Sequence, residues 1–277
     1  MTSNFSSPRR TSERFSDPTA DIIFQSADGV KYYIHSKNLE STTGGFPPME
    51  FASDKTGAVL LSERSKVLDL LFVFVYPERQ PDLTKVPFDV LVPLAEAVEK
   101  YKVYPAMSMC KLRMTAAVVE YPLEVLSYGV KYSYKDVLDM AAMVAIQRPV
   151  DEVVSALIDT PSAASAWVQY YGMWLGALSK ALNQWTWSQC RYKALYENCV
   201  AVVQKLGVRV GSWWEVDKLF RALPLVGNTS EVEWRVQADK IRRGMPKFSS
   251  FLVPETWWGG DSQRFEERWI VVNKGQA

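Results

Sequence analysis

The strongest constraint on what this chain can fold into is a change of period. Up to residue 61 the apolar residues come in short runs suited to strands, and from Ser65 onward they follow the helical repeat. In "VKYYIH", Val30, Tyr32 and Ile34 alternate with Lys31, Tyr33 and His35, the period-two pattern of a half-buried strand. The preceding run "DIIFQ", at 21 to 25, is rich in β-branched and aromatic residues. Between the two lies "SADG", whose Asp28-Gly29 step suits a tight turn, so the pair predicts a β-hairpin. "SKNLESTTGG" then predicts a short helix or helical turn, with Ser36 as its N-cap and Gly44-Gly45 as its stop. After a loop containing Pro47 and Pro48, "GAVLLSE" predicts a third short strand at 58 to 61.

In "SKVLDLLFVFVYP", Val67, Leu68, Leu71, Phe72 and Val75 form a helical stripe that Pro77 ends. "PFDVLVPLAEAVEKYKV" places Leu91, Leu94, Ala95, Val98 and Tyr101 on one face, and Pro93 fits such a helix in its first turn. "YPAMSMCKLRMTAAVV" predicts another helix, with Cys110 as a small apolar filler among Ala106, Met109 and Met114. Five further segments between Pro122 and Gly207 carry helical patterns separated by Pro, Ser, Thr or Asn-Gln breaks, which implies stacked antiparallel helical hairpins. Ser230 and Glu233 form a capping box before one more helix, with Gly244 past its end. The fold class expected is therefore α+β, a short three-stranded sheet with helices, followed by an all-α helical region. The boundaries expected are a disordered tail at 1–15, the α+β domain at 16–118, the helical region at 119–246 and a Trp-rich tail at 247–277.

Composition narrows the chemistry. Lys and Arg total 32 against 31 Asp and Glu, so the chain lacks the electrostatic footprint of a nonspecific nucleic-acid binder. The three cysteines, Cys110, Cys190 and Cys199, show no CxxC spacing and predict neither a disulfide scaffold nor a four-ligand zinc site. No signal-peptide core and no run of ~18 apolar residues is present, so an intracellular protein, cytoplasmic or nuclear, is expected. Neither GxGxxG nor GxxxxGK occurs. The adjacent acids Asp151-Glu152 and Glu266-Glu267 suit a solvated face, and Lys240, Arg242, Arg243 and Lys247 suit a helix C-terminus. Trp174, Trp185, Trp187, Trp213 and Trp214 are candidates for core packing or for a partner-binding groove. His35 is the single histidine, with no companions for metal binding. No catalytic residue, cofactor or metal site is expected.

The order hairpin, short helix, strand, buried helix, Pro-rich link and two helices over residues 21 to about 118 resembles the BTB/POZ domain. The residues that carry the likeness are Asp21 opening the first strand, Gly29 at the turn, Tyr32 and His35 on the second strand, and Leu39 in the next helix. They continue with Val59 to Leu61, Phe74-Val75-Tyr76, Ala95 to Ala97 and Lys100-Tyr101. "VYP" with its Pro-rich linker, and "EYPLEVLSYGVKYSYKDVLDMAA", look like the BTB proteins abundant in mushroom-forming fungi, which carry a helical extension. The resemblance implies that His35 packs at a strand-to-helix joint and that the chain is a noncatalytic protein–protein interaction module. It also implies contacts through Phe46, Met49, Phe51 and Ser65.

Three departures accompany the likeness. Ser36 stands where repressor-type BTB domains carry a basic residue paired with the opening Asp, and Lys37 follows it. The loop "PPMEFASDKTG" lacks the apolar-x-Glu triplet used for cullin docking. Residues 1 to 20 offer neither the helix nor the strand that swapped BTB dimers exchange, so a monomer or a non-swapped dimer is expected. The partner is a protein, with no nucleic acid and no membrane. Two alternatives stand beside this reading: a substrate adaptor of a cullin-based ubiquitin ligase, and an enzyme with an unrecognised helical active site.

Overall fold

The structure, a computed structural model, describes residues 10–46, 57–184, 210, 211, 214, 218, 236 and 239–252. The chain separates into two compact units, 1–145 and 146–277.

In the first unit the expected hairpin forms from β2 (Ile22–Gln25) and β3 (Val30–Ile34), with Phe24 opposite Tyr32 and Ile22 opposite Ile34. Gly29 sits in the turn at φ +84°, a conformation that costs a residue without Cβ nothing. β4 (Val59–Leu60) lies parallel to β2. A strand absent from the sequence reading, β1 (Arg10–Thr11), lies parallel to β3, so the sheet has four strands in the order β1-β3-β2-β4.

The strand β1 corrects two expectations. Residues 10–15 do not belong to a disordered tail: the Ser12 N–H donates to the Lys31 carbonyl at 2.8 Å, the Tyr33 N–H donates to the Phe15 carbonyl at 2.9 Å, and Phe15 is buried. Nor are residues 1 to 20 without a strand, although the strand pairs within its own chain. Main-chain bonds hold "RT" in place and leave no apolar alternation to read.

The buried face of the sheet carries Phe24, Tyr32 and Ile34, against which α2 (Ser65–Val73) packs Val67, Leu68, Leu71, Phe72 and Val73. Phe72 is the centre of this core: the rings of Phe15, Phe24, Tyr32 and Phe46 all lie within 6.0 Å of it, centroid to centroid. α1 (Ser36–Thr42) precedes β4, and a short 3-10 turn, Leu83–Lys85, follows α2. α3 (Phe88–Lys100) buries Leu91, Leu94, Ala95, Ala97 and Val98. Pro93 lies inside this helix and not in its first turn, so the Asp89 carbonyl lacks the N–H that residue 93 would ordinarily supply. α4 (Tyr104–Ala116) buries Ala106, Cys110 and Met114.

The first unit does not end near 118. α5 (Pro122–Lys131) and α6 (Lys135–Ala145) form a tight hairpin that belongs to it. A Cβ on Gly129 would come 2.8 Å from the Leu138 Cβ and 2.9 Å from its backbone nitrogen, so only glycine lets the two helices approach this closely. Polar contacts tie the hairpin to α3 and α4. The Tyr128 and Tyr134 hydroxyls both donate to Glu99, Lys131 pairs with Glu96 at 2.8 Å, and Lys111 pairs with Asp136 at 2.8 Å.

The described part of the second unit is helical, as the sequence predicts. α7 (Val150–Ala156) packs on α8 (Pro161–Gln184), which also contacts a 3-10 turn at Phe248–Phe251. Trp167, Tyr170 and Phe248 cluster here with ring centroids 5.2–5.4 Å apart, and Trp174 lies 5.6 Å from Trp214. Trp167 and Trp174 are fully buried, so Trp174, of the tryptophan set, serves as core. Trp185, Trp187 and Trp213, Cys190 and Cys199, the capping box at Ser230 and most of the Trp-rich tail lie outside the described residues. Among the described residues no helix is long and apolar enough to cross a membrane.

Candidate functional site

Two helix starts and one clasp around the sheet hold polar contacts of the first unit, and Asp21, His35, Tyr76, Lys100 and Tyr101 take part in them. At the start of α1, Asp21 reaches across from β2: its Oδ1 accepts the Ser36 N–H at 2.8 Å and its Oδ2 accepts the Ser36 hydroxyl. Ser36 is therefore the first helical residue and not the N-cap. The N-cap is His35, whose side chain makes no capping bond, and a carboxylate distant in sequence satisfies the helix instead. These hydrogen bonds from Ser36, side chain first and then backbone, hold the Asp21 carboxyl below the ordinary carboxylate range.

His35 sits beside this cap. Its backbone N–H donates to the Tyr76 hydroxyl at 3.2 Å, its Nδ1 lies 3.0 Å from the same oxygen, and its Nε2 lies 3.3 Å from Thr19 Oγ1. With the ring proton assigned to Nε2, every group finds a complement: Tyr76 donates to Nδ1, Nε2–H donates to Thr19, and Thr19 donates to Asp17 Oδ1 at 2.7 Å. The histidine thus joins β3 to the turn that follows α2. Burial raises the Tyr76 pKa, so the phenol stays protonated and able to donate.

The start of α2 repeats the device. Asp28, in the hairpin turn, accepts the Ser65 N–H at 2.7 Å and the Ser65 hydroxyl at 2.6 Å. Burial would raise the Asp28 pKa, but hydrogen bonds from the side chains of Ser65 and Ser26 and from the Ser65 N–H outweigh it and hold the group at about 2. The Tyr32 hydroxyl lies 3.1 Å from the Ser65 carbonyl and 2.9 Å from Asp69 Oδ1, and it can donate to either.

The clasp lies where the chain leaves α1. Gly44 N–H donates to the Lys102 carbonyl and Gly45 N–H to the Tyr101 carbonyl, at 3.2 and 3.0 Å. A Cβ on Gly45 would lie 2.7 Å from the Lys100 carbonyl oxygen, so this approach needs glycine. Phe46 then stacks on Tyr101, with centroids 4.3 Å apart and planes 9° from parallel. Beneath the clasp, Glu63 accepts from Lys100 Nζ at 2.8 Å, from the Tyr101 hydroxyl at 2.5 Å and from the Ser62 hydroxyl at 3.0 Å. Burial pushes the Glu63 pKa up, and these donors together bring it below its ordinary value.

Of the residues expected to touch a partner, Phe46 is half-buried and packed on Phe24, Phe72 and Tyr101, and Ser65 spends its N–H and hydroxyl on Asp28. Met49 and Phe51 lie outside the described residues. Phe46 and Ser65 thus spend these contacts within the first unit. Of the motif residues, Asp21 bonds Ser36 beside His35, His35 bonds Tyr76, Tyr101 donates to Glu63, Gly29 makes the turn, and Leu39 is the buried residue of α1.

The Asp28–Ser65 cap, Thr19 beside His35, and the Glu63 hub were not legible. Each joins residues 16 to 38 apart in sequence, and no local spacing encodes such a pair. The Asp21–Ser36 pair did carry a signal, since the BTB likeness places the opening Asp opposite position 36.

Cys110 is fully buried, and burial, followed by the Glu99 charge, pushes its thiol up to about 12, which suits the filler role and not a nucleophile. Among the described residues no group of three or more His, Cys, Asp or Glu side chains could hold a metal ion. No family model matches this chain, and no curated protein matches its sequence.

Proposed function

We propose that this protein is a noncatalytic protein–protein interaction module whose first unit is a BTB/POZ-like domain. The observation that carries the reading is the convergence at the sheet: Asp21 on Ser36, His35 on Tyr76, and Lys100 and Tyr101 on Glu63. Residues singled out for a family likeness, and far apart in sequence, spend their polar groups on joining β2, β3, α1, α2 and α3. Such a scaffold presents its outer loops to another protein, and the stretch from Phe46 to Ser65 is the surface to which the resemblance points.

Affinity capture of the full chain from its own cells tests this, with and without Met49→Ala and Phe51→Ala, read by mass spectrometry. The expected result is a specific protein set that the double variant loses. Recovery of a cullin with a RING subunit, lost in the variant, would make the protein a ligase adaptor. A partner set unchanged by the substitutions would remove this stretch from the interface.

A further inference from the structure

The N-terminal segment carries the run "RRTS", Arg9 to Ser12, in which a serine follows arginines at the third and second places before it. Cations at those two places are the charge pattern by which arginine-directed protein kinases select a serine. Ser12 directly follows β1. Its N–H donates to the Lys31 carbonyl at 2.8 Å, and its hydroxyl accepts the Phe15 N–H at 3.4 Å, the long limit of a hydrogen bond. The residue is 7% exposed, and only one other polar residue among those described, Ser26, is buried.

The buried hydroxyl has an ordinary explanation, since it closes the turn that delivers Phe15 to the core. That explanation does not account for the arginines. β1 is held by main-chain bonds, which pair Arg10 and Thr11 with Val30 and Lys31 whatever their side chains. Ser26, equally buried, follows "IIFQ", with no cation in the four places before it. A two-residue strand at a sheet margin opens at little cost. Phe15, packed on Tyr32, Phe72 and Tyr76, keeps the segment tethered while residues 10–12 peel away.

We infer that Ser12 is a phosphorylation site and that its phosphate releases β1 from the sheet. In the transfer, a bond forms between Ser12 Oγ and the γ-phosphorus of ATP as the bond from that phosphorus to the ADP oxygen breaks. The hydroxyl proton passes to the kinase's catalytic aspartate. The product carries about two negative charges and three acceptor oxygens on a side chain that the docked segment buries. Closing over that dianion would strip its water, so the modified segment stays open. Arg14, the next cation along the chain, is already paired with Glu78. Release uncovers the edge of β3 at Val30 and Lys31.

The test treats the full chain with the catalytic subunit of cyclic-AMP-dependent protein kinase and magnesium ATP. Mass spectrometry maps the phosphate, and NMR hydrogen exchange follows single amides before and after. The expected result is phosphate at Ser12, with incorporation slowed at least about ten-fold by Arg9→Ala. In the product the Ser12 amide should exchange at least about ten-fold faster, while the Tyr33 amide, bonded to the Phe15 carbonyl, keeps its protection. No phosphate at Ser12, or an equal rate in Arg9→Ala, would overturn the site. Phosphate at Ser12 with unchanged exchange there, or with protection lost throughout the chain, would overturn the release of β1. Should Arg9→Ala unfold the chain, the position of the phosphate and the two amides of the unaltered protein still decide it.

Discussion

The starts of α1 and α2 use the same clasp, an aspartate that takes both the N–H and the hydroxyl of the first helical serine, yet they rest on different supports. α2 buries five residues, Val67, Leu68, Leu71, Phe72 and Val73, so burial holds the helix and Asp28 sets its starting angle. α1 buries only Leu39 and is held at its start by polar contacts: Asp21 on Ser36 and, beside them, His35 on Tyr76. One motif therefore does two jobs. Where packing is ample it fixes direction, and where packing is sparse it supplies much of the local order.

The largest expected effect comes from removing the burial that supports α2. Phe72→Ala should lower stability by about 3–5 kcal/mol, read from urea unfolding, because the ring is fully buried and touches four other aromatic side chains. A cost under about 1 kcal/mol would mean that α2 is held by its cap after all. Next is Gly45→Ala, which drives a methyl group into the Lys100 carbonyl and should cost about 1–3 kcal/mol while loosening the clasp that follows α1.

The two caps can then be compared directly. Asp28→Ala should cost about 1 kcal/mol of global stability. Asp21→Ala should move the unfolding midpoint less and instead speed amide exchange along α1, since that helix has little else to order it. Identical exchange behaviour in the two variants would erase the distinction.

Acid supplies the smallest and most selective probe. The folded pKa of Asp28, about 2, lies below its ordinary 3.8, so the unfolded chain binds more protons in that interval. The contribution of Asp28 is complete above about pH 4 and is lost as pH falls towards 2. Asp28→Asn should flatten this part of the stability–pH curve, and an unchanged slope would show that the Ser65 clasp does not hold the charge.

The sequence revealed the parts of the fold whose signal is periodic. Val30, Tyr32 and Ile34 alternate, and the stripe of Val67, Leu68, Leu71 and Phe72 needs a helix, so β3 and α2 could be read from residue order alone. β1 could not, because a two-residue strand held by main-chain bonds leaves only Phe15 as an apolar trace. Pro93 misled on position, since tertiary packing of Leu91, Leu94 and Val98 carries the helix through it. The second unit's place of origin was missed because Tyr128, Tyr134 and Lys131 reach back to Glu99 and Glu96, and side-chain partners 29 to 35 residues away have no local signature. At the candidate site, the BTB likeness marked positions 21, 35 and 36. The bonds they make were not legible: Asp21 to Ser36, and the part-exposed His35 ring to the Tyr76 and Thr19 side chains in place of local backbone. Asp28 belongs to no such pattern.

Among the described residues both margins of the sheet are two residues long, β1 on one side and β4 on the other. A foreign strand that approached either margin would find main-chain partners for scarcely one pleat before the edge ran out. Leu60, half-exposed on β4, is therefore an apolar side chain at a sheet edge that offers almost no ladder to extend. Strands this brief give sheet-to-sheet pairing little to build on.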